Sequence, residues 1–141
     1  MDICIDFDGT CVTHDFPRIG KDIGAVPVLK KIVAAGHHLV LNTMRSNRLK
    51  KNPIGNDLIV DEKGMFLHEA IKWFMDNNIQ LYGVKVNPSQ SCWTTSVKVY
   101  ADLYIDDAAL GAPLKYNPEI SDRPYIDWVL VEQLLEEMGV I

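Results

Sequence analysis

The chain lacks any apolar run as long as the roughly 18 residues that a membrane-spanning helix needs. The apolar residues at its amino terminus are interrupted by acids at Asp2, Asp6 and Asp8, which is not the pattern of a signal peptide. We therefore expect a cytoplasmic protein that has no membrane partner.

Cysteine is scarce, and the three present, Cys4, Cys11 and Cys92, match no metal-binding spacing. Their odd number favours reduced thiols over a disulfide framework. Positive charge is also in short supply, because 14 Lys and Arg residues against 19 Asp and Glu residues give a net charge of −5. This balance argues against a nucleic-acid partner. Internal repeats are absent, and the length predicts one domain over residues 1–141.

What the chain does contain is an acidic turn directly after its first apolar run. Residues 2–6 predict a short strand, and Asp6-Phe7-Asp8-Gly9-Thr10 follows from its end. Strand alternation would place Asp6 and Asp8 on the same side, while Gly9 lets the backbone turn sharply and approach a ligand. Two carboxylates held together repel, so they need a cation or a shared proton, which fits metal-assisted chemistry on a phosphate. The alternative is an acidic surface turn after an edge strand.

Two later apolar runs also end in polar groups. The run Leu39–Leu41 closes on Asn42-Thr43, and the run Leu103–Ile105 closes on Asp106-Asp107. An open parallel sheet binds ligands in the crevice above the carboxyl ends of its strands. Lys98, just before the third run, is a source of positive charge for such a crevice.

Strands and helices alternate along the chain. Strands are predicted at 2–6, 38–42, 58–60, 84–86 and 101–105, and apolar spacing predicts helices at 26–33, 67–75 and 126–138. Irregular loops are predicted at 11–21, 44–56 and 111–124. This succession predicts an α/β fold, a three-layer α/β/α sandwich on a mostly parallel, Rossmann-like sheet.

At this point the chain resembles the haloacid dehalogenase-like superfamily of aspartate-based phosphatases. Asp6-Phe7-Asp8-Gly9-Thr10 matches the first motif of that superfamily throughout, and Thr43 matches the second, a lone Thr or Ser that closes a hydrophobic strand. Asp106-Asp107 matches the fourth motif. The third motif is a lysine, for which the resemblance favours Lys98 and leaves Lys85 as the alternative.

The resemblance implies phosphoryl transfer from a small phosphorylated substrate through an aspartyl phosphate. Asp6 would be the nucleophile, and Asp8 would be the general acid and then the general base. Thr43 and backbone N–H groups after Asp6 would bind the phosphoryl oxygens, and Lys98 would offset charge in the transition state.

The resemblance also implies a Mg²⁺ ion, since every ligand would be an oxygen. Asp6, the Asp8 carbonyl and Asp106 would hold the ion, and Asp107 would hold a metal-bound water or support the lysine. Substrate contacts are predicted for the acidic turn and for the residues after Thr43, namely Phe7, Gly9, Thr10, Met44 and Arg45. The basic cluster from Arg45 to Lys51 either binds a second anionic group of the substrate or is a solvated face.

Two loop residues near the acidic turn complete the set. His14 is close enough in sequence to be a substrate contact, and a packing role is favoured for Cys11.

There is no room in the chain for an inserted cap domain, so it resembles the capless class. The basic loop at 45–56 or a neighbouring subunit of a homo-oligomer would then cover the site.

Two other function classes stay open: a regulatory phosphate-binding domain of the same fold without turnover, and a receiver-like signalling domain, whose phosphorylated Asp ends a middle strand. A dehalogenase is disfavoured, because those relatives need neither an acid at Asp8 nor a metal.

Overall fold

The computed structural model describes residues 1–48 and 64–141. In chain order the elements are β1 (Asp2–Ile5), α1 (Ala25–Ala34), β2 (His38–Leu41), β3 (Asn47–Arg48), β4 (Gly64–Met65), α2 (Phe66–Asp76), β5 (Gly83–Val84), β6 (Leu103–Ile105), β7 (Leu114–Lys115), β8 (Tyr125–Ile126) and α3 (Trp128–Glu137). Within the described ranges, each helix is too short or too polar to cross a bilayer.

A parallel sheet of four strands, in the order β5-β2-β1-β6, forms the centre of the fold. Ile5 at the end of β1 lies opposite Leu41 at the end of β2 and opposite Ile105 at the end of β6. Three neighbouring strands therefore stop at the same level and point in the same direction. This arrangement confirms the predicted α/β class, and it brings the polar groups after the three strands to one edge of the sheet.

The two faces of the sheet are covered differently. Side chains of alternate strand residues, such as Ile5 and Leu41, share one buried cluster with residues of all three helices, among them Leu29, Phe74 and Leu135. The opposite face carries a smaller cluster made by Cys4, Val40, Val99 and Ala101. Within the described residues, this face is covered by the chain segment before β6, which contains a short 3₁₀ turn at Gln90–Cys92.

Several predicted boundaries move in the structure. The strand predicted at 84–86 is β5, which ends at Val84 because Lys85 adopts a left-handed backbone with a φ of 58° and turns the chain away. The helix predicted from Ile126 starts at Trp128, because Ile126 pairs with Leu114 in the antiparallel β7–β8 ladder. The strand predicted at 58–60 and the lysines of the basic cluster lie outside the described residues.

Candidate active site

Three acids meet at the carboxyl edge of β1 and β6. The carboxylates of Asp6, Asp106 and Asp107 each offer an oxygen, and these oxygens lie within 4.8 Å of one another. The approach follows from the parallel pairing, which continues one residue past β1, where the Asp6 N–H donates to the Ile105 carbonyl at 3.0 Å. The structure therefore brings together three of the four acids that the sequence analysis assigned to a metal.

Burial and mutual repulsion make the charge on Asp6 costly. The pKa of Asp6 is raised from 3.8 to about 7, first by burial and then by the charges of Asp106, Asp107 and Asp8, while the Phe7 N–H acts in the opposite direction. A cation placed among these carboxylates would relieve the repulsion. Three convergent carboxylate oxygens form a donor set that suits a hard divalent ion such as Mg²⁺.

Thr10 links the two strand ends that carry the acids. Its side chain is fully buried, and its hydroxyl lies 3.4 Å from the Asp6 carboxylate and 3.3 Å from the Asp107 carboxylate. The same hydroxyl accepts a hydrogen bond of 3.0 Å from the Asp107 N–H. Thr10 therefore fixes the position of Asp107 relative to Asp6. Its predicted contact with substrate stays a prediction.

The loop residue His14, for which a substrate contact was predicted, lies against Asp107 in the structure. Its Nε2 atom lies 2.9 Å from a carboxylate oxygen of Asp107. Only the fold joins these residues, which are 93 positions apart. His14 therefore orients Asp107 from the loop side of the acid cluster.

Gly9 is the position that allows this close approach. Its φ is +85°, and a Cβ there would lie 2.2 Å from Nε2 of His14 and 2.6 Å from a carboxylate oxygen of Asp107. A side chain would thus displace two members of the site. The Gly9 and Thr10 N–H groups donate within the turn, to the Val12 and Phe7 carbonyls at 2.8 Å and 3.2 Å. Their predicted role in binding phosphoryl oxygens stays a prediction.

The hydrophobic residues beside the acids are packed inward. The Phe7 side chain is fully buried and meets the Trp73 ring edge-on, with 5.6 Å between ring centroids, so only its backbone can face a ligand. The Cys11 thiol donates to the Asp6 carbonyl at 3.2 Å, and burial raises the pKa of this thiol well above its usual range. Cys11 is therefore a packed thiol and a poor nucleophile.

The carboxylate of Asp8 turns away from the other acids and toward Arg45. Arg45 donates to both oxygens of Asp8 through Nε and Nη2, each at 2.7 Å. It also donates to the Pro17 and Arg18 carbonyls at 3.1 Å and 2.6 Å, and its side chain is only 1% exposed. The guanidinium carbon lies 5.1 Å from the centre of the Phe7 ring. Arg45 therefore fastens the 11–21 loop to Asp8, and its predicted contact with substrate stays a prediction.

We expect Arg45→Met to lower the free energy of unfolding by about 3–5 kcal/mol, because it leaves the Asp8 carboxylate without its buried partner. Chemical denaturation measures this change. Arg18→Met is the matched control, since the Arg18–Asp15 pair also has two hydrogen bonds but is exposed, and it should have little effect. Equal, small losses in both variants would contradict a structural role for Arg45.

Thr43 and Met44 follow the end of β2, next to the acidic turn. The Asn42 N–H donates to the Ile5 carbonyl at 2.9 Å, so the parallel register continues with Asn42 opposite Asp6, and Thr43 follows one residue further along. The Thr43 hydroxyl is nearly buried and accepts from the Arg45 N–H at 3.2 Å. The Met44 side chain is exposed. The predicted contacts of Thr43 and Met44 with substrate stay predictions.

Among the described residues, neither candidate lysine forms an ion pair with an acid. The Lys98 ammonium lies 5.7 Å from the centre of the Tyr104 ring, on the side of β6 that Asp106 shares by strand alternation. Lys85 lies at the strand ends, where its N–H donates to the Leu41 carbonyl at 2.7 Å. Over residues 1–48 and 64–141, both ammonium groups lie beyond 4.0 Å from every carboxylate. The choice between them stays a prediction.

The segment that leads into α3 is hydrogen-bonded to the backbone of the acidic turn. The Trp128 indole N–H donates to the Thr10 carbonyl at 2.7 Å, and the Ile126 N–H donates to the Gly9 carbonyl at 2.9 Å. Asp127 caps α3 by accepting from the Val129 N–H. The backbone of the turn is thus fixed by a segment more than 110 residues later in the chain.

No family model matches the chain, and no curated protein matches it. One solved structure that resembles it is that of a conserved protein from Bacteroides thetaiotaomicron, with 29% sequence identity and a TM-score of 0.70. The likeness covers 98% of this chain and 91% of that chain, so the two share the α/β architecture over nearly their whole length.

Proposed function

We propose that the protein is a Mg²⁺-dependent phosphohydrolase of the haloacid dehalogenase-like superfamily, which hydrolyses a phosphomonoester through an aspartyl phosphate on Asp6. The observation that supports this most is the convergence of Asp6, Asp106 and Asp107 at the ends of two parallel strands. Because the pKa of Asp6 is about 7, this carboxylate needs a compensating charge to act as a nucleophile at neutral pH.

In the first step the Asp6 carboxylate attacks phosphorus, the bond from phosphorus to the leaving oxygen breaks, and Asp8 gives that oxygen its proton. In the second step Asp8 takes a proton from water, the water oxygen attacks phosphorus, and the bond between Asp6 and phosphorus breaks. Arg45 donates to both oxygens of Asp8, so one of these two hydrogen bonds must open before Asp8 can carry the proton that it gives to the leaving oxygen, while the other keeps the side chain in place.

The acid cluster would hold the ion through Asp6 and Asp106, with the Asp8 carbonyl as a further oxygen. Bound Mg²⁺ would supply positive charge that offsets the repulsion between the nucleophile and the phosphate. His14 and Thr10 keep Asp107 in place for either of its two roles, as a water ligand or as a support for the lysine.

We also propose that the protein is cytoplasmic, because its thiols suit a reducing compartment. Cys4, Cys11 and Cys92 are all free, and Cys4 and Cys11 are buried.

Release of inorganic phosphate tests the proposed function directly. The purified protein is incubated in Mg²⁺ with 4-nitrophenyl phosphate and with a panel of phosphorylated metabolites. We expect turnover of the aryl phosphate and faster turnover of at least one metabolite. Folded protein that releases no phosphate from any of these substrates would contradict the proposal.

Lys98→Met should lower kcat about a hundredfold, because it removes a positive charge from a site in which negative charge develops. Lys85→Met should stay near the wild-type value and serves as the matched control. The reverse pattern would transfer the role to Lys85. Equal, small effects would assign the charge to a different basic residue.

A further inference from the structure

A cleft of about 600 Å³ adjoins the acid cluster. Its walls come from two loops, residues 13–21 after the acidic turn and residues 120–123 before β8. His14 belongs to this wall and also lies 2.9 Å from Asp107. His14 therefore borders both the cleft and the proposed phosphate site, so the cleft is placed to receive the alcohol part of a phosphomonoester.

The loop that forms the larger wall is held firmly. The Lys21 N–H donates to the Thr13 hydroxyl at 2.9 Å, and the Lys21 carbonyl accepts from the Thr13 N–H at 3.0 Å. The buried side chain of Arg45 donates hydrogen bonds to the Pro17 and Arg18 carbonyls of the same loop. The cleft is thus a preformed feature of the fold, which reduces the entropic cost of binding a ligand there.

The charges in the cleft favour an anion. Arg18 and Asp15 neutralise each other through a pair of hydrogen bonds of 3.0 Å and 2.9 Å. The other charged residues that line the cleft are Lys21, Arg123 and Asp122, which leaves an excess of one positive charge among the lining residues. This excess of positive charge stands out on a chain whose net charge is −5. Phe16, which is 47% exposed, adds an apolar surface to the same wall.

We propose that this cleft is the leaving-group subsite and that it selects phosphomonoesters whose alcohol carries an anionic substituent. Lys21 and Arg123 bind the substituent, and Phe16 packs against the apolar body of the alcohol. The inference rests on the proposed phosphohydrolase function, and it adds the substrate class that the acid cluster alone leaves open.

Two matched esters test the inference, phenyl phosphate and 4-carboxyphenyl phosphate, which differ in one carboxylate. We expect the wild type to have the higher kcat/KM for the carboxylated ester. Arg123→Ala and Lys21→Ala should each lower the ratio of the two kcat/KM values about tenfold, mainly through KM, because each removes a charged contact to the carboxylate. Lys30→Ala, which removes an exposed lysine of α1 that does not line the cleft, should leave the ratio unchanged.

Binding of both esters to the Asp6→Asn variant, measured by calorimetry, separates this inference from the proposed function. Hydrolysis of both esters at equal kcat/KM, with no effect of Arg123→Ala on the ratio, would overturn the subsite and leave the phosphohydrolase intact. Tighter binding of the carboxylated ester that depends on Arg123, without hydrolysis by the wild type, would support the anion-binding cleft and contradict the catalytic proposal. Equal binding of both esters without hydrolysis would overturn both.

Discussion

Asp6→Asn should abolish phosphate release, with a loss in kcat of more than about a thousandfold, because the amide cannot form the covalent intermediate. The replacement has the same shape, so the packing around Thr10 and β6 should be kept. Steady-state release of phosphate from 4-nitrophenyl phosphate measures the loss. Asp76→Asn, at an exposed acid that ends α2, is the matched control and should keep full activity.

A stability measurement separates this loss from unfolding. The pKa of Asp6 is raised from 3.8 to about 7 in the folded protein, so its ionisation destabilises the metal-free fold increasingly above pH 3.8, and the loss is complete above about pH 7. Asp6→Asn should therefore raise the melting temperature of metal-free protein near pH 8. A variant that is folded and inactive supports Asp6 as the nucleophile, whereas a variant with wild-type activity contradicts it.

Removal of divalent cations should also abolish activity, and added Mg²⁺ should restore it. The reason is the convergence of Asp6, Asp106 and Asp107, whose mutual repulsion the ion would offset. Assays in excess chelator, followed by titration with Mg²⁺, measure the effect. Full activity in excess chelator would contradict the assignment of the metal.

The same acids predict a pH dependence that does not rely on turnover. Asp6 has a raised pKa when folded, so its own contribution to the stability of the metal-free protein should be greatest below its usual pKa of 3.8 and should be lost as the pH rises to about 7. Mg²⁺ binds the ionised carboxylates, and it should therefore raise the melting temperature by several degrees near pH 8 and by much less near pH 5. An equal rise at both pH values would contradict the link between the ion and Asp6.

The sheet and its acid-bearing edge could be predicted from the sequence because their signals are local. Each apolar run ends in polar residues, and the parallel register then brings those ends to one level. The end of β5 was less predictable, since nothing in the sequence around Lys85 signals a left-handed backbone.

The surroundings of the acids could not be predicted, because they depend on contacts between distant parts of the chain. Arg45 begins a basic stretch that is typical of a solvated surface, yet it is buried by Asp8, 37 residues earlier, and by two loop carbonyls. His14 has no sequence signature that points to Asp107. The contact of His14 with Asp107 and the contacts of Arg45 with the two carbonyls both involve the 11–21 loop, whose folded position the sequence does not specify.

Acid-quenched labelling of the protein by radiolabelled 4-nitrophenyl phosphate is the most direct test of the aspartyl phosphate. The Asp8→Asn variant is the most suitable protein for this test. The 4-nitrophenolate of the substrate leaves without being protonated, whereas attack of water on the intermediate lacks its general base. The side-chain amide oxygen of the variant can still accept a hydrogen bond from Arg45. We predict that label accumulates on the protein and maps to the peptide that contains Asp6. Label on a different residue would contradict the proposed mechanism. Turnover by the Asp8→Asn variant at the wild-type rate, with no labelled protein, would also contradict it.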